Sequence, residues 1–331
     1  MVIQSHSLAV IATIAALLAT PARVISAFVA APLPHAAAAP TGRCTRREGS
    51  GWSLKSAASG MTAGAGADIA SAEEAKTNLK KLLKKNFMRT ATEDVQAAVE
   101  TLCKFNPTQD PGKAWHLLNG EWITLGQEFP DTTYTPEGFE CTLGRLSFNI
   151  FEPTNLPIRI VEIVNPVGGP GPTDASDDGG RDPLYSINTR FCARDGSGLR
   201  GKILIKGSCT VDPQNPQRVL IRFSSGTIEP DDGQDLDAWR KTIGLSNDSV
   251  EGGKSNKSVS KRFARLQKKA ATLVLKLAFG FKPPASELGS RGELTYEMTR
   301  SPKGWHDILY LDEEMRVTRG NKGSLMVTAR V

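Results

Sequence analysis

The chain has 331 residues, 41 Lys+Arg against 35 Asp+Glu, a formal net charge of +6 and 5 cysteines. The charge is uneven: through residue 67 there are 5 Lys+Arg against 1 acid, leaving 36 against 34 beyond it. The basicity therefore belongs to the leader rather than the folded part, which excludes a nucleic-acid partner. The cysteines show no CxxC and no paired spacing, a poor disulfide framework and a poor zinc site. Cys44 leaves with the leader, and the other four are expected as buried free thiols.

Residues 1–27 carry the apolar run Leu8 to Leu18, too short to anchor in a bilayer, followed by small residues up to Ala27. This is the pattern of a cleaved signal peptide, although its first seven residues lack Lys and Arg. From Phe28 to residue 67 the chain is Ala/Ser/Gly/Pro-rich and nearly free of acids, the composition of a transit peptide and spacer. The tandem, with Phe28 at the join, resembles the bipartite leader of proteins sent to complex plastids. A secreted protein with an N-terminal spacer is the alternative.

One domain is expected over residues 68–331. Ser71-Ala72-Glu73-Glu74 is a capping box. It opens a basic helix with Leu79, Leu82, Leu83 and Phe87. A second helix begins at Thr92-Glu93-Asp94, with Val95, Ala98, Val99 and Leu102 on one face, and stops before Asn106-Pro107. Strands follow. Glu121 to Gly126 is the first. Phe139, Cys141 and Leu143 alternate, and a phase switch to Leu146, Phe148 and Ile150 suggests a bulge. Further strands are read at Ile158–Val164, Leu184–Arg194, Lys202–Val211 and around Val219, Ile221 and Phe223. Glu293–Thr299, Ile308–Leu311, Met315–Thr318 and Leu325–Val331 complete the set. Gly320-Asn321-Lys322-Gly323 makes the last two a hairpin. Eight to ten strands, each with one apolar face, suit a closed antiparallel barrel just wide enough for one small ligand. Trp122, Phe148, Tyr185, Phe191, Ile203, Ile205, Ile221, Phe223 and Val327 are the expected lining of its interior.

Two segments interrupt the strands. Residues 165–182 have loop composition. Residues 236–284 form an insertion that ends in a basic amphipathic helix. Phe263, Leu266, Leu273 and Leu277 share one face of it, with Lys261, Arg262, Lys268 and Lys269 largely opposite. That pattern suits an anionic membrane surface, or equally a helix packed on the barrel.

No catalytic set stands out, and no cofactor or metal is implied: His116 and His306 have no HExxH or nucleophile-elbow context. The densest charged cluster is Asp312, Arg316 and Arg319 with their acidic neighbours. Asp312 is expected to accept from one of the two arginines and pin the hairpin. The alternative makes Arg316 and Arg319 a fork for a lipid headgroup.

Two blocks carry a resemblance. Tyr310 to Arg330 (YLDEEMRVTRGNKGSLMVTAR) is similar to the closing motif of the plastid lipid-associated, or fibrillin (plastoglobulin), family. Ala98 to Leu125 (AVETLCKFNPTQDPGKAWHLLNGEWITL) resembles that family's opening motif. With the strands, the two leading helices and the helical insertion read above, the fold class is mainly β, a lipocalin-like antiparallel barrel preceded by two helices. Helices ahead of the first strand fit the family pattern. The resemblance implies a non-catalytic plastid protein that binds a lipid, prenylquinone or carotenoid beside thylakoid or plastoglobule membranes. A scaffold partnering a plastid protein and a lipocalin-like enzyme acting on a lipid are the alternatives.

Overall fold

The computed structural model describes residues 71–129, 131–169, 183–243, 279–300 and 304–331. All belong to one compact unit, Thr41–Val331. The leader, the loop at 170–182 and the basic helix at 261–277 lie outside the described residues.

Helix α1 (Ala72–Lys85) starts where the capping box places it, with Glu74 N–H donating to Ser71 Oγ at 3.3 Å. Helix α2 (Glu93–Cys103) follows, with Val95, Ala98, Val99 and Leu102 buried. A short α3 (Trp115–Leu118) leads into strand β1 (Gly120–Gln127). The hairpin of β2 (Thr133–Thr135) and β3 (Gly138–Thr142) is followed by α4 (Leu143–Leu146). Four long strands come next: β4 (Pro157–Gly168), β5 (Leu184–Ala193), β6 (Arg200–Asp212) and β7 (Asn215–Pro230). After α5 (Leu236–Thr242) come β8 (Phe281–Lys282), β9 (Leu294–Met298), β10 (Gly304–Leu311), β11 (Met315–Gly320) and β12 (Leu325–Arg330).

The sheet runs β1-β12-β11-β10-β7-β6-β5-β4, and β1 pairs back onto β4, closing an eight-stranded antiparallel barrel. Closure removes the unpaired edges that an open sheet would present. The β2–β3 hairpin extends β4 beyond β1, while β8 and β9 extend β7 beyond β10. The tight turn between β11 and β12 is the Gly-Asn-Lys-Gly break: Gly323 N–H donates to Gly320 O at 2.8 Å, and Gly323 has φ +82°. That left-handed backbone favours glycine.

Three expectations are corrected. The phase-switched strand after Gly144 is the helix α4 and a turn, not a bulge. Phe148 there has φ +53° and is 68% exposed, so it does not line the interior. Residues 165–168 are not loop: they continue β4 and pair with β1. Cys192 is disulfide-bonded, while Cys103, Cys141 and Cys209 carry free thiols.

The apolar faces of α1 and α2 cover the outside of the wall. Leu79, Leu83, Val95 and Leu102 pack on Met315, Val317, Leu325 and Val327. Val327, expected inside the barrel, therefore points outward under the helices. Burying each large apolar side chain contributes about 1.5–3 kcal/mol. The first and last parts of the 236–284 segment join the core too, through Trp239 in α5 and Phe281 in β8.

Candidate ligand site in the barrel

Alternation along β5 turns Tyr185, Ile187, Phe191 and Ala193 inward. A bulge on β7, where Ser224 is the extra residue opposite Lys206 and Gly207, and one on β4 between Ile160 and Glu162, reset the phase of those strands so that Ile221 and Ile163 also face the core. The interior side chains gather into two clusters at opposite ends of β5. One holds Trp115, Trp122, Tyr185, Cys209, Ile221 and Ile308, with α3 packed on it. The other holds Phe151, Phe191, Ile203, Ile228, Trp239 and Tyr296, with α4 and α5 packed on it. Ile187, Ile205 and Phe223 belong to the same inward faces but remain partly accessible. Seven of the nine expected lining residues are thus inside; Phe148 and Val327 are not.

Trp122 organises one end. Two guanidinium groups lie over its ring, with Arg316 Cζ 4.8 Å and Arg330 Cζ 4.5 Å from the ring centroid. Stacking of this kind is favourable because the ring face is electron-rich. The indole N–H donates to Leu118 O at 2.9 Å. Arg330 is fully engaged: it donates to Glu313 O at 2.7 Å, to Asn119 O at 2.5 Å and to Leu117 O. It ties β12 to the segment entering β1.

Arg316 behaves differently. It is 1% exposed and alternates with the outward-facing Met315 and Val317, so its side chain enters the barrel. Its Nη2 donates to Asn165 Oδ1 at 2.5 Å, and Asn165 Nδ2 donates to Ser186 O at 2.5 Å. Its Nε–H has no hydrogen-bond partner, and no carboxylate among the described residues pairs with it. Burial, and then the like charge of Arg330, lower its pKa to about 10, which leaves it charged at neutral pH. Around it, burial pushes the Tyr185 phenol up to about 12, and burial followed by the Arg316 charge drives His306 down to about 3. Both stay neutral in the physiological range, so neither opposes the Arg316 charge, and the charged group acting on it is the like-charged Arg330.

The expected Asp312–arginine pairing is overturned. Asp312 organises the β10–β11 turn instead, with Oδ1 accepting from Glu314 N–H at 2.8 Å and Met315 N–H at 2.7 Å. Its Oδ2 accepts from Tyr310 Oη at 2.7 Å and from Lys76 Nζ at 2.9 Å. Lys76 is 3% exposed, and also pairs with Glu314 at 3.1 Å and with Glu73. Burial disfavours its ammonium, but those three carboxylates outweigh burial and hold its pKa above the ordinary lysine value. Burial likewise opposes the Asp312 carboxylate, yet Tyr310 and Lys76 keep it below its usual range. Arg316 and Arg319 are three residues apart on a strand of period two, so they leave opposite faces, and Arg319 is exposed. They cannot form one fork. Changing Asp312 to Ala takes from the buried Lys76 the least exposed of its three carboxylates, leaves the Tyr310 hydroxyl without its acceptor and frees two N–H groups of the turn. Urea unfolding should therefore show a loss on the order of 3 kcal/mol, and a loss below 1 kcal/mol would contradict the lock.

The two family-like blocks meet here. Asn106 Oδ1 accepts from Leu311 N–H at 3.1 Å, and Thr108 Oγ1 donates to Leu311 O at 2.7 Å. The Asn-Pro-Thr run is thus clamped on Leu311, between Tyr310 and Asp312.

Outside the barrel, the residues around β2 and the α1–α2 turn line a cavity of about 530 Å³. Arg89 lies 5.4 Å from the Tyr134 ring centroid there and 3.7 Å from Glu128. Its mixed, charge-paired lining is unlike the largely apolar pockets that hold hydrophobic ligands. Among the described residues no group of three His, Cys, Asp or Glu is placed to hold a metal.

Residues 199–329 match the family model PAP_fibrillin. This supports assignment to the plastid lipid-associated, or fibrillin, family. The matched span runs from the start of β6 almost to the end of β12, and includes His306, Asp312 and Arg316. The opening block at Ala98–Leu125, with Trp122, lies outside it, as do Asn165 and Tyr185. No curated protein and no solved structure matches the chain. The fibrillin match and the barrel fit a lipid-associated protein of plastids.

Sequence reading missed Lys76 and Asn165 as members of the charged and polar networks. Lys76 gives no local signal, since Asp312 is 236 residues away. Arg316 did give one: on a strand, a charge between two buried apolar residues must face the other side.

Proposed function

We propose that this chain is a non-catalytic, lipid-associated plastid protein whose barrel holds a lipid, prenylquinone or carotenoid beside thylakoid or plastoglobule membranes. The observation that carries the reading is the closed barrel with apolar inward faces in a chain that matches the fibrillin family. An eight-stranded barrel is just wide enough to hold one small ligand. The partly accessible Ile187, Ile205 and Phe223 mark where a hydrophobic molecule would enter between the packed ends. The charged groups with resolved roles in the fold, Lys76, Asp312 and Arg330, are occupied in joining elements, which leaves them no catalytic task. Mass spectrometry of organic extracts from natively purified protein is the direct test. One hydrophobic species at near-equal molar amount is expected. Its absence, with no exchange of added prenylquinone into the protein, overturns the reading.

Attachment to the membrane surface is assigned to the basic helix. Its charge attraction to anionic lipid weakens as the Debye length falls from about 10 Å at 0.1 M salt to about 3 Å at 1 M. Binding to anionic liposomes should therefore drop steeply over that range. It should vanish when Lys261, Arg262, Lys268 and Lys269 are changed to Glu. Undiminished binding by that variant would remove the helix as the anchor.

A further inference from the structure

The barrel interior contains an unmet electrostatic demand. Arg316 is a cation buried with one side-chain acceptor, Asn165, and an idle Nε–H. Thr124 faces the same interior from β1, and its buried hydroxyl also has no hydrogen-bond partner. The two residues share one row across the wall: Thr124 pairs with Thr328, and Thr328 pairs with Arg316. Thr328 itself is spent, since its hydroxyl donates to Arg316 O at 3.2 Å. A buried charge without a counter-charge, beside an idle hydroxyl, is costly unless something supplies the missing acceptors.

The occupant's chemistry follows from what is left over. The site offers one fully buried guanidinium with a donor to spare, because Arg330 is only half-buried and spends its donors on three carbonyl oxygens. A monoanion neutralises it, whereas a dianion would leave a buried charge unmatched. Two donors, an N–H and an O–H, call for two acceptor oxygens on one small planar group. A carboxylate meets both conditions, and pairs with guanidinium in the geometry that arginine favours. The inward Tyr185, Phe223 and Ile187 continue the same surface toward the partly accessible zone, which suits an apolar tail. We infer that Arg316 and Thr124 anchor the carboxylate of a long-chain acid whose tail lies along the barrel interior. This rests on the reading that the barrel holds a hydrophobic ligand.

The test uses the delipidated full chain with three probes: oleate, oleyl alcohol and acetate. Oleate should bind at least about tenfold more tightly than oleyl alcohol. Arg316→Met should erase that preference while leaving the alcohol's affinity unchanged. Without ligand, the variant should unfold no more easily than the parent, since it removes an unpaired buried charge. Thr124→Val should weaken oleate severalfold, and it carries the test if Arg316→Met fails to fold. Equal binding of oleate and alcohol by the parent overturns the carboxylate anchor but leaves hydrophobic binding standing. Full stabilisation by acetate alone, with no gain from the chain, assigns the site to a free small anion and overturns the long-chain acid. If neither long-chain probe nor added prenylquinone binds, the lipid reading itself fails along with the anchor.

Discussion

A chain ending at Gly320 is expected to yield no cooperatively folded domain. The deletion removes β12, which pairs with β1 from Trp122 to Gln127 and with β11 from Met315 to Arg319. Both neighbours become open edges, the usual starting point for aggregation. Leu325 and Val327 also vanish from beneath α1 and α2, a loss on the order of 5 kcal/mol. Arg330 goes with them, and with it the tie between the barrel's last strand and the segment entering its first. Against a typical domain stability of about 5–15 kcal/mol, that deficit is decisive. The expected product is insoluble, or soluble with a broad, non-cooperative guanidinium transition by circular dichroism and tryptophan fluorescence. A soluble truncation with one sharp transition would show that the hairpin is an appendage.

The long strands were legible because alternation ran for many residues. In β5 and β6 the inward residues Tyr185 to Ala193 and Ile203 to Val211 leave little choice of period. Short runs misled. Leu146, Phe148 and Ile150 mimic a strand over three positions, yet Phe148 and Asn149 adopt left-handed backbone after a single helical turn. The Asn165-Pro166-Val167-Gly168 stretch reads as loop by composition. Proline fits there because β5 has no partner paired with residue 166, and β1 takes up the pairing instead.

Inside and outside were harder to tell than strand from loop. The sequence expectation placed the apolar face of every strand inward. For β11 and β12 the wall is buried on both sides, and the more apolar side, with Met315, Val317, Leu325 and Val327, faces the two helices. The polar side, with Arg316, Thr318 and Thr328, is the one that enters the barrel. Periodicity gives two faces but does not say which one a neighbouring element will claim. That choice decided both the misplacement of Val327 and the position of Arg316.

His306 makes the barrel's stability depend on pH in a range where carboxylates are silent. It is buried on β10, opposite Val219 of β7 and Gly320 of β11, with its ring 5.9 Å from Tyr185. Burial, and then the Arg316 charge, lower its pKa from 6.5 in the unfolded chain to about 3 in the folded one. The sign follows from proton uptake. Above pH 6.5 both states hold the imidazole neutral, and the full stability is present. Below it the unfolded chain binds a proton that the folded chain refuses, so stability falls by about 1.4 kcal/mol per pH unit until the folded pKa is reached. Between pH 6.5 and 5 ordinary carboxylates, with pKa values near 4, are still ionised in both states. The slope in that window therefore reports histidine rather than general acid denaturation. Urea unfolding at pH 7 and pH 5 should differ by about 2 kcal/mol on this account. His306→Gln should flatten most of the difference, because a neutral amide refuses no proton. A parent protein equally stable at both pH values, or a His306→Gln variant with the parent's slope, would mean that the imidazole takes up its proton inside the barrel beside Arg316.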